Sequence, residues 1–123
     1  PRLQSTIEAG ALCKMADRGQ ITGGLLDGPL AFDNAISMRA VAAKEIASDV
    51  AGQADILVAP DLEAGNMISK QLMYLAGAEA AGIVLGAQVP IILTSRADDR
   101  RTRVASAAIA VLFDAATRRI TPH

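Results

Sequence analysis

The sequence predicts an α/β fold, specifically a fragment of a parallel sheet with flanking helices. Two continuous apolar runs, residues 55–59 and 89–94, are typical of strands covered on both faces, as in a parallel sheet. Apolar residues recur at helical spacing in the stretches around these runs, and strands that alternate with helices indicate parallel pairing. The 123 residues, 51% of them hydrophobic and 20% charged, suffice for a folded domain with a buried core.

Four stretches place apolar residues on one face of a helix. The first is followed by Gly19, at the position where helices often end in a left-handed turn. The second is preceded by Asp33-Asn34, whose side chains are good N-cap oxygens. The last carries a long apolar stripe on one face. The four predicted helices are residues 3–18, 35–47, 66–76 and 98–116.

The connecting segments contain weaker strand and turn signals. Residues 20–25 form a short extended candidate, and 83–85 a weak strand or turn. Asp27-Gly28-Pro29 between them is a typical turn sequence. No repeat or low-complexity tract interrupts this order.

Composition excludes several classes of function. Lys and Arg number 12 against 13 Asp and Glu, for a net charge of -1, and aromatic residues are 2% of the chain. A general nucleic-acid binder needs a basic surface or stacking aromatics, so nucleic acid is not an expected partner. No apolar run reaches the roughly 18 residues of a membrane span, and no signal pattern is present. One reduced cysteine and these absences favour the cytoplasm.

Metal and triad chemistry are equally unsupported. Cys13 is the single cysteine and His123 the single histidine, at the last position of the chain. A Cys-based metal cluster, a His-rich zinc site and a Ser-His-Asp triad are therefore not expected. Cys13 is interpreted as a small buried hydrophobe rather than a nucleophile. Charged side chains and backbone amides must carry any chemistry.

The first candidate site follows the clearest predicted strand, in residues 94–101. Ser95 offers a hydroxyl and Arg96 a planar fork suited to phosphate, at a loop that opens a helix. Loops at the ends of strands are also where open α/β sheets bind ligands. The alternative is that Asp98 or Asp99 only caps the helix and the arginines are solvated, and the residues alone slightly favour that alternative.

Two further loops have a similar character. In residues 60–66, Gly65 would let a ligand approach the backbone, and the Asn66 amide could bond an anion. The favoured interpretation, however, is that Asn66 is an ordinary N-cap of the helix that follows. In residues 27–34, Asp27 and Asp33 could be acid/base groups, but a turn and a helix cap are the favoured explanation. Lys44, on the helix that follows, reads by itself as a solvated lysine.

Four ordered runs resemble the phosphate acetyl/butyryltransferase family. They are ITGGLLDGPLAFDNAIS at 21–37, VAGQADILVAPDLEAGN at 50–66, VPIILTSRAD at 89–98 and the opening ALCKMADRGQ at 11–20. The opening is most similar to the branch of enoyl-CoA hydratase/phosphate acetyltransferase fusions. The resemblance covers nearly the whole chain, and family members are considerably longer than it.

The resemblance implies an activity and an architecture. The activity is transfer of a short acyl group such as acetyl between coenzyme A and inorganic phosphate, with no cofactor beyond coenzyme A as substrate. The architecture is isocitrate/isopropylmalate dehydrogenase-like, with the active site in a cleft between two α/β domains. Residues 1–51 would be the C-terminal part of the inserted second domain, and 52–123 the returning part of the first.

The resemblance also implies roles for individual residues. Ser95 and Arg96 match the family's Ser-Arg that binds phosphate and substrate, and Lys44 matches a lysine of the cleft; these three are the implied catalytic residues. Substrate binding is assigned to Gly65, Asn66 and Asp98.

One position departs from the family pattern. Acetyl-specific members carry an aspartate, proposed as the catalytic base, seven positions after the serine, where this chain has Thr102. The butyryl-like and fusion branches share this departure. Asp98 and Asp99 are the nearby alternatives for the base.

Association with a second copy is the last expectation. The chain contains 25 alanines, which bury little area per residue. The resemblance implies a homodimer, with the helices at 3–18 and 35–47 at the interface. The residues also leave open a non-catalytic alternative, in which the chain is a folding or dimerisation unit.

Overall fold

The fold was analysed in a computed structural model that describes residues 2–120, with side chains described up to residue 118. It divides into two compact units, Pro1–Gly65 and Asn66–His123. The predicted domain boundary at residue 51 concerns the longer architecture implied by the resemblance, and it stays a prediction. His123 lies outside the described residues.

The first unit begins with helix α1, Gln4–Asp17. Its end confirms the role predicted for Gly19, which has a φ of 70°. The Gly19 and Gln20 N–H groups donate to the carbonyl oxygens of Ala16 and Met15 at 2.8 and 2.9 Å. These two bonds form a Schellman motif, which satisfies the last carbonyls of the helix and stops it.

The predicted helix over 35–47 is two short helices, α2 (Phe32–Ile36) and α3 (Met38–Ala43). The chain becomes extended at Ser37, whose hydroxyl oxygen accepts the Ala40 N–H at 3.4 Å and caps α3. Asp33 and Asn34 lie inside α2, so the prediction that they cap the following helix is wrong. Ser37 takes that role because it follows the break.

The segment 51–54 packs against the two short helices and completes the core of this unit. Ala35, Val41 and Ala51 are buried there. The Gly52 N–H donates to the Asn34 carbonyl oxygen at 2.7 Å, and the Ala54 N–H donates to the Ala35 carbonyl oxygen at 3.1 Å. Backbone bonds thus hold this segment directly against α2.

Residues 55–59 do not form the predicted strand, and neither do residues 20–25. Ile56 and Val58 are 81% and 82% exposed. A strand requires hydrogen-bonded neighbours, and the described residues supply none to this segment. The apolar run therefore lies outside any sheet, and its large side chains are exposed.

Helix α4, Leu62–Leu75, begins four residues before the predicted start at 66. Asp61 explains the difference, because its Oδ1 accepts the Ala64 N–H at 2.7 Å. That bond is the N-cap contact expected of an aspartate placed just before a helix.

The second unit contains strands β1 (Ile83–Val84) and β2 (Ile91–Ile92) and helix α5 (Arg100–Ile120). The strands pair antiparallel, with Ile83 opposite Ile92, so the parallel pairing predicted from the α/β alternation is wrong for this pair. The two strands are close in sequence, and no crossover helix separates them. The isocitrate/isopropylmalate dehydrogenase-like architecture stays a prediction, because a single pair of strands does not define it.

Helix α5 packs against this hairpin through a polar contact. Ser106 is fully buried, and its Oγ accepts the Gly82 N–H at 3.0 Å and donates to the Thr102 carbonyl oxygen at 2.8 Å. Ala110 is buried one turn further along the helix. The buried hydroxyl is therefore fully satisfied, and it ties the hairpin to the helix that follows the candidate loop.

Candidate functional site

The loop after β2 is organised around the Asp98 carboxylate. Its Oδ2 accepts the Ser95 N–H at 2.6 Å, and the Asp98 N–H donates to the Ser95 carbonyl oxygen at 3.2 Å. The Ala97 N–H donates to the Ser95 Oγ at 3.4 Å. Ser95 is thus held at its backbone and at its hydroxyl oxygen, and the hydroxyl hydrogen is left to donate to another group.

Arg96 lies at the exposed tip of this loop. Its guanidinium makes no hydrogen bond or ion pair with any residue in the described part of the chain. A guanidinium presents five N–H donors in a plane that matches phosphate or carboxylate. The loop therefore combines a fixed hydroxyl with an uncommitted cation, which is a suitable pair for an anionic ligand.

Asp99, next to this loop, caps the start of α5. Its Oδ1 accepts the Thr102 N–H at 2.8 Å, and this hydrogen bond is the main reason that the pKa of Asp99 lies below its usual value. The two carboxylates of the loop are therefore both used as acceptors of backbone N–H groups. The sequence alternative that an aspartate caps this helix is confirmed for Asp99, and Asp98 instead bonds the Ser95 backbone.

Two of the three arginines that begin α5 are engaged, whereas the Arg100 side chain has no hydrogen bond or ion pair in the described residues. Arg101 forms an exposed ion pair with Glu79, and the Arg103 Nε donates to the Asp98 carbonyl oxygen at 3.2 Å. Arg96 differs from both of them in having no such partner in the described structure. Arg96 and Arg100 are therefore both available to a ligand, and Arg96 is the one that lies in the loop beside Ser95.

In the first unit, Lys44 contacts two side chains of α2. Its Nζ lies 2.8 Å from the Asp33 Oδ2 and 2.8 Å from the Asn34 Oδ1. The ammonium beside Asp33 holds the pKa of that carboxyl below its usual value. The Lys44 side chain is thus solvated over about half of its surface, as the sequence indicated, and it also bonds two side chains of α2.

The contact of Asp33 and Asn34 with Lys44 was not predicted, because the favoured interpretation of both residues was a helix cap. They lie 11 and 10 positions before Lys44 in the sequence. Residues this far apart are brought into contact only by the turn between α2 and α3, which the sequence did not predict. The available signal was the co-occurrence of a carboxylate, an amide and a lysine within one helical segment.

Gly65 and Asn66 are not in a loop, as the sequence predicted, but inside α4. Asn66 is the fifth residue of the helix, so its N–H lies beyond the unpaired groups of the first turn. Gly65 comes close to Ala59, since a Cβ placed at Gly65 would be 3.4 Å from the Ala59 Cβ. An added methyl group would make ordinary van der Waals contact with Ala59, and the substrate-binding role of both residues stays a prediction.

Cys13 and the acidic residues show no sign of metal chemistry. The Cys13 thiol donates to the Gly28 carbonyl oxygen at 3.6 Å, and burial is the main reason that its pKa is raised. Within residues 2–120, no group of three or more His, Cys, Asp or Glu residues could hold a metal ion. No helix in that range has the length and apolar character needed to cross a bilayer.

Comparison with known proteins gives one consistent result. The family model described as phosphate acetyl/butaryl transferase matches residues 1–111. The chain belongs to the phosphate acetyl/butyryltransferase family. It is 67% identical over 117 residues to a phosphate acetyltransferase of Rhizobium meliloti, which covers 95% of this chain and 37% of that protein. It is 50% identical over 111 residues to a probable phosphate butyryltransferase of Bacillus subtilis, which covers 90% of this chain and 37% of that protein.

A solved structure supports the same membership. The chain superimposes on the crystal structure of a branched-chain phosphotransacylase from Enterococcus faecalis V583 with a TM-score of 0.76. The two sequences are 33% identical. The match covers 90% of this chain and 40% of that one. The chain thus spans little more than a third of the length of the relatives it matches. The resemblance read from the four sequence runs is confirmed at the level of the family.

Proposed function

We propose that the complete protein containing these 123 residues is a phosphate acyltransferase, which transfers a short acyl group such as acetyl between coenzyme A and inorganic phosphate. The observation that carries this proposal is the 67% identity to a phosphate acetyltransferase over 95% of the chain. The Ser95–Arg96 loop supports it, because its groups suit the charged substrates of that reaction.

The reaction is a single acyl transfer. The sulfur of the coenzyme A thiolate attacks the carbonyl carbon of an acyl phosphate, the C–S bond forms, the C–O bond to phosphate breaks, and phosphate leaves with the bonding electrons. A base must take the thiol proton, and cationic donors must stabilise the charge on the phosphate and on the carbonyl oxygen. No covalent intermediate on the protein is required.

The described residues fit the second of these tasks. The Ser95 hydroxyl has its hydrogen free for a carbonyl or phosphate oxygen, and the Arg96 guanidinium is free for two phosphate oxygens. The family resemblance separately assigns Lys44, in the first unit, to the cleft. The base stays unassigned, since Asp98 and Asp99 both accept backbone N–H groups.

The proposal includes a homodimer in the cytoplasm, with acyl-CoA or coenzyme A and phosphate or acyl phosphate as substrates. Support for the dimer comes from the helices that the sequence assigned to the interface. Ile7 and Met15 on α1 and Met38 on α3 are 49%, 40% and 59% exposed. Large apolar side chains left exposed on these helices support an interface there.

The test is Arg96→Ala in the complete protein, with Arg118→Ala as the matched control. Arg118 lies near the other end of α5, paired with Asp114, so its removal changes the net charge equally. We expect Arg96→Ala to weaken phosphate binding by about 1.5–3 kcal/mol, the strength of a charge-assisted hydrogen bond. That loss corresponds to a rise of roughly 10- to 150-fold in the phosphate dissociation constant. The control should leave it unchanged.

Two outcomes would contradict the proposal. If the complete protein does not interconvert acetyl-CoA and acetyl phosphate, the activity is wrong. If Arg96→Ala leaves phosphate affinity unchanged, the role of the loop is wrong. The 123 residues by themselves should show little or no turnover, because they match only part of the length of their relatives, and robust turnover by them would contradict that expectation.

A further inference from the structure

We propose that Asp33 and Asn34 are positioning residues, which together hold the Lys44 ammonium in place to receive the phosphate group of the substrate. The inference rests on the proposed function, because a role for Lys44 in binding phosphate requires that the complete protein uses phosphate as a substrate. It adds two residues that neither the sequence interpretation nor the family resemblance had connected with that site.

The first argument is the geometry at the ammonium. A lysine ammonium has three N–H donors. Two of them are used by the Asp33 Oδ2 and the Asn34 Oδ1, each at 2.8 Å. No other hydrogen bond or ion pair of the Lys44 side chain is present in the described residues, so one donor remains. Two fixed acceptors also define the direction of the third N–H, because the three donors are arranged tetrahedrally.

The second argument is that one of the two acceptors, Asn34, belongs to a buried part of the unit. Asn34 is buried, with only 9% of its surface exposed. Its carbonyl oxygen accepts the Gly52 N–H at 2.7 Å, so its backbone is tied to the segment that completes the core. An amide anchored in this way specifies a position more sharply than a side chain on a mobile loop could.

The third argument concerns the Lys44 backbone. Residue Glu45 has a φ of 51°, and the N–H groups of Glu45 and Ile46 donate to the Ala42 and Val41 carbonyl oxygens at 3.3 and 3.1 Å. This is a Schellman ending, here formed without glycine. The long Lys44 side chain is therefore fixed at both ends, which removes rotamer freedom before a substrate arrives.

The competing explanation is that the contact only fastens α3 to α2. Exposed ion pairs contribute little to stability, and both side chains of this pair are about half exposed, at 48% for Lys44 and 53% for Asp33. If the contact only fastened the helices, replacing Asp33 would lower the free energy of unfolding and leave the kinetic constants for phosphate unchanged. A positioning role would have the opposite signature, and this difference can be measured.

The experiment compares Asp33→Asn with Asp17→Asn in the complete protein. Asp17 forms an exposed pair with Lys14 in the same unit, at 3.3 Å, so the control makes the same chemical change away from Lys44. We expect Asp33→Asn to lower kcat/KM for phosphate about tenfold, as for the loss of a charge-assisted hydrogen bond. The KM for coenzyme A and the unfolding temperature of Asp33→Asn should equal those of the Asp17→Asn control.

A double-mutant cycle with Lys44→Met tests whether Asp33 acts through the lysine. We expect Lys44→Met to lower kcat/KM for phosphate at least as much as Asp33→Asn does, and the double variant to be no worse than Lys44→Met alone. Asp33→Glu, which keeps the charge, should recover part of the lost activity. If Asp33→Asn fails to fold, the same cycle is run with Asn34→Asp, where a second carboxylate beside Lys44 should also raise the KM for phosphate.

The outcomes are distinguishable. Equal activity of Asp33→Asn and Asp17→Asn, or an equal further loss when Asp33→Asn is added to Lys44→Met, would overturn the positioning role while the proposed function stands. Absence of acyl transfer in the unmodified complete protein would overturn the proposed function, and the positioning role with it.

Discussion

Substituting Gly52 by alanine tests the packing that supports the Lys44 contacts. Gly52 has a φ of 85°, in the region that side chains other than glycine rarely adopt. A Cβ at this position would lie 2.5 Å from the Met38 Sδ and 3.0 Å from both the Cα and the N of Met38. The sulfur can move away, because the Met38 side chain is exposed, but the two backbone atoms begin α3 and cannot move independently.

The magnitude follows from two separate costs. Placing an L-residue in a left-handed conformation costs roughly 1–2 kcal/mol. Forcing an extra methyl group into a packed position costs about 1–3 kcal/mol. We therefore expect Gly52→Ala to lower the free energy of unfolding by about 2–5 kcal/mol, the sum of these two ranges. The shift should also disturb the Gly52–Asn34 hydrogen bond and hence Lys44.

Two other glycines of the same unit separate the two costs. Gly23 has a φ of 93°, and no described residue lies within 4 Å of the place that a new methyl group would occupy, so Gly23→Ala isolates the backbone cost. Gly24 has neither a left-handed conformation nor a close neighbour in the described structure, and Gly24→Ala should be neutral or slightly stabilising. Urea unfolding of the unsubstituted protein and the three variants, followed by circular dichroism, gives the differences from the midpoints and slopes. If Gly52→Ala is no more destabilising than Gly23→Ala, the close approach to Met38 does not exist in the protein.

Two further predictions follow from other parts of the first unit. Alkylation of Cys13 by iodoacetamide should rise with pH around a higher midpoint than that of an exposed cysteine in a short peptide, because burial and the charges of Asp27 and Asp17 disfavour the thiolate and raise its pKa. A midpoint equal to or below that of the peptide would contradict this environment. The chain should form at least a dimer at micromolar concentration through the apolar side chains of α1 and α3; light scattering that shows a stable monomer, together with no binding of an apolar dye, would refute that expectation.

The sequence by itself determined the features that depend on neighbouring residues. Gly19 ends α1 as expected, because a left-handed helix ending is a local backbone preference. The long apolar stripe predicted the last helix, and only its limits differ, since Asp99 caps it at a start two residues later. The position of Ser95 and Arg96 after a strand and before a helix was also readable, as was the family.

The tertiary structure decided the features that join distant residues. The contact of Lys44 with Asp33 and Asn34 requires α2 and α3 to fold back on each other, and the break at Ser37 that allows it was not predicted. The apolar run at 55–59 was expected to be a strand, yet a strand is made by its partners, and the described residues provide none. Apolar composition reports that a segment can be buried, whereas hydrogen bonding between distant segments decides whether it is, and only the folded chain brings those segments together.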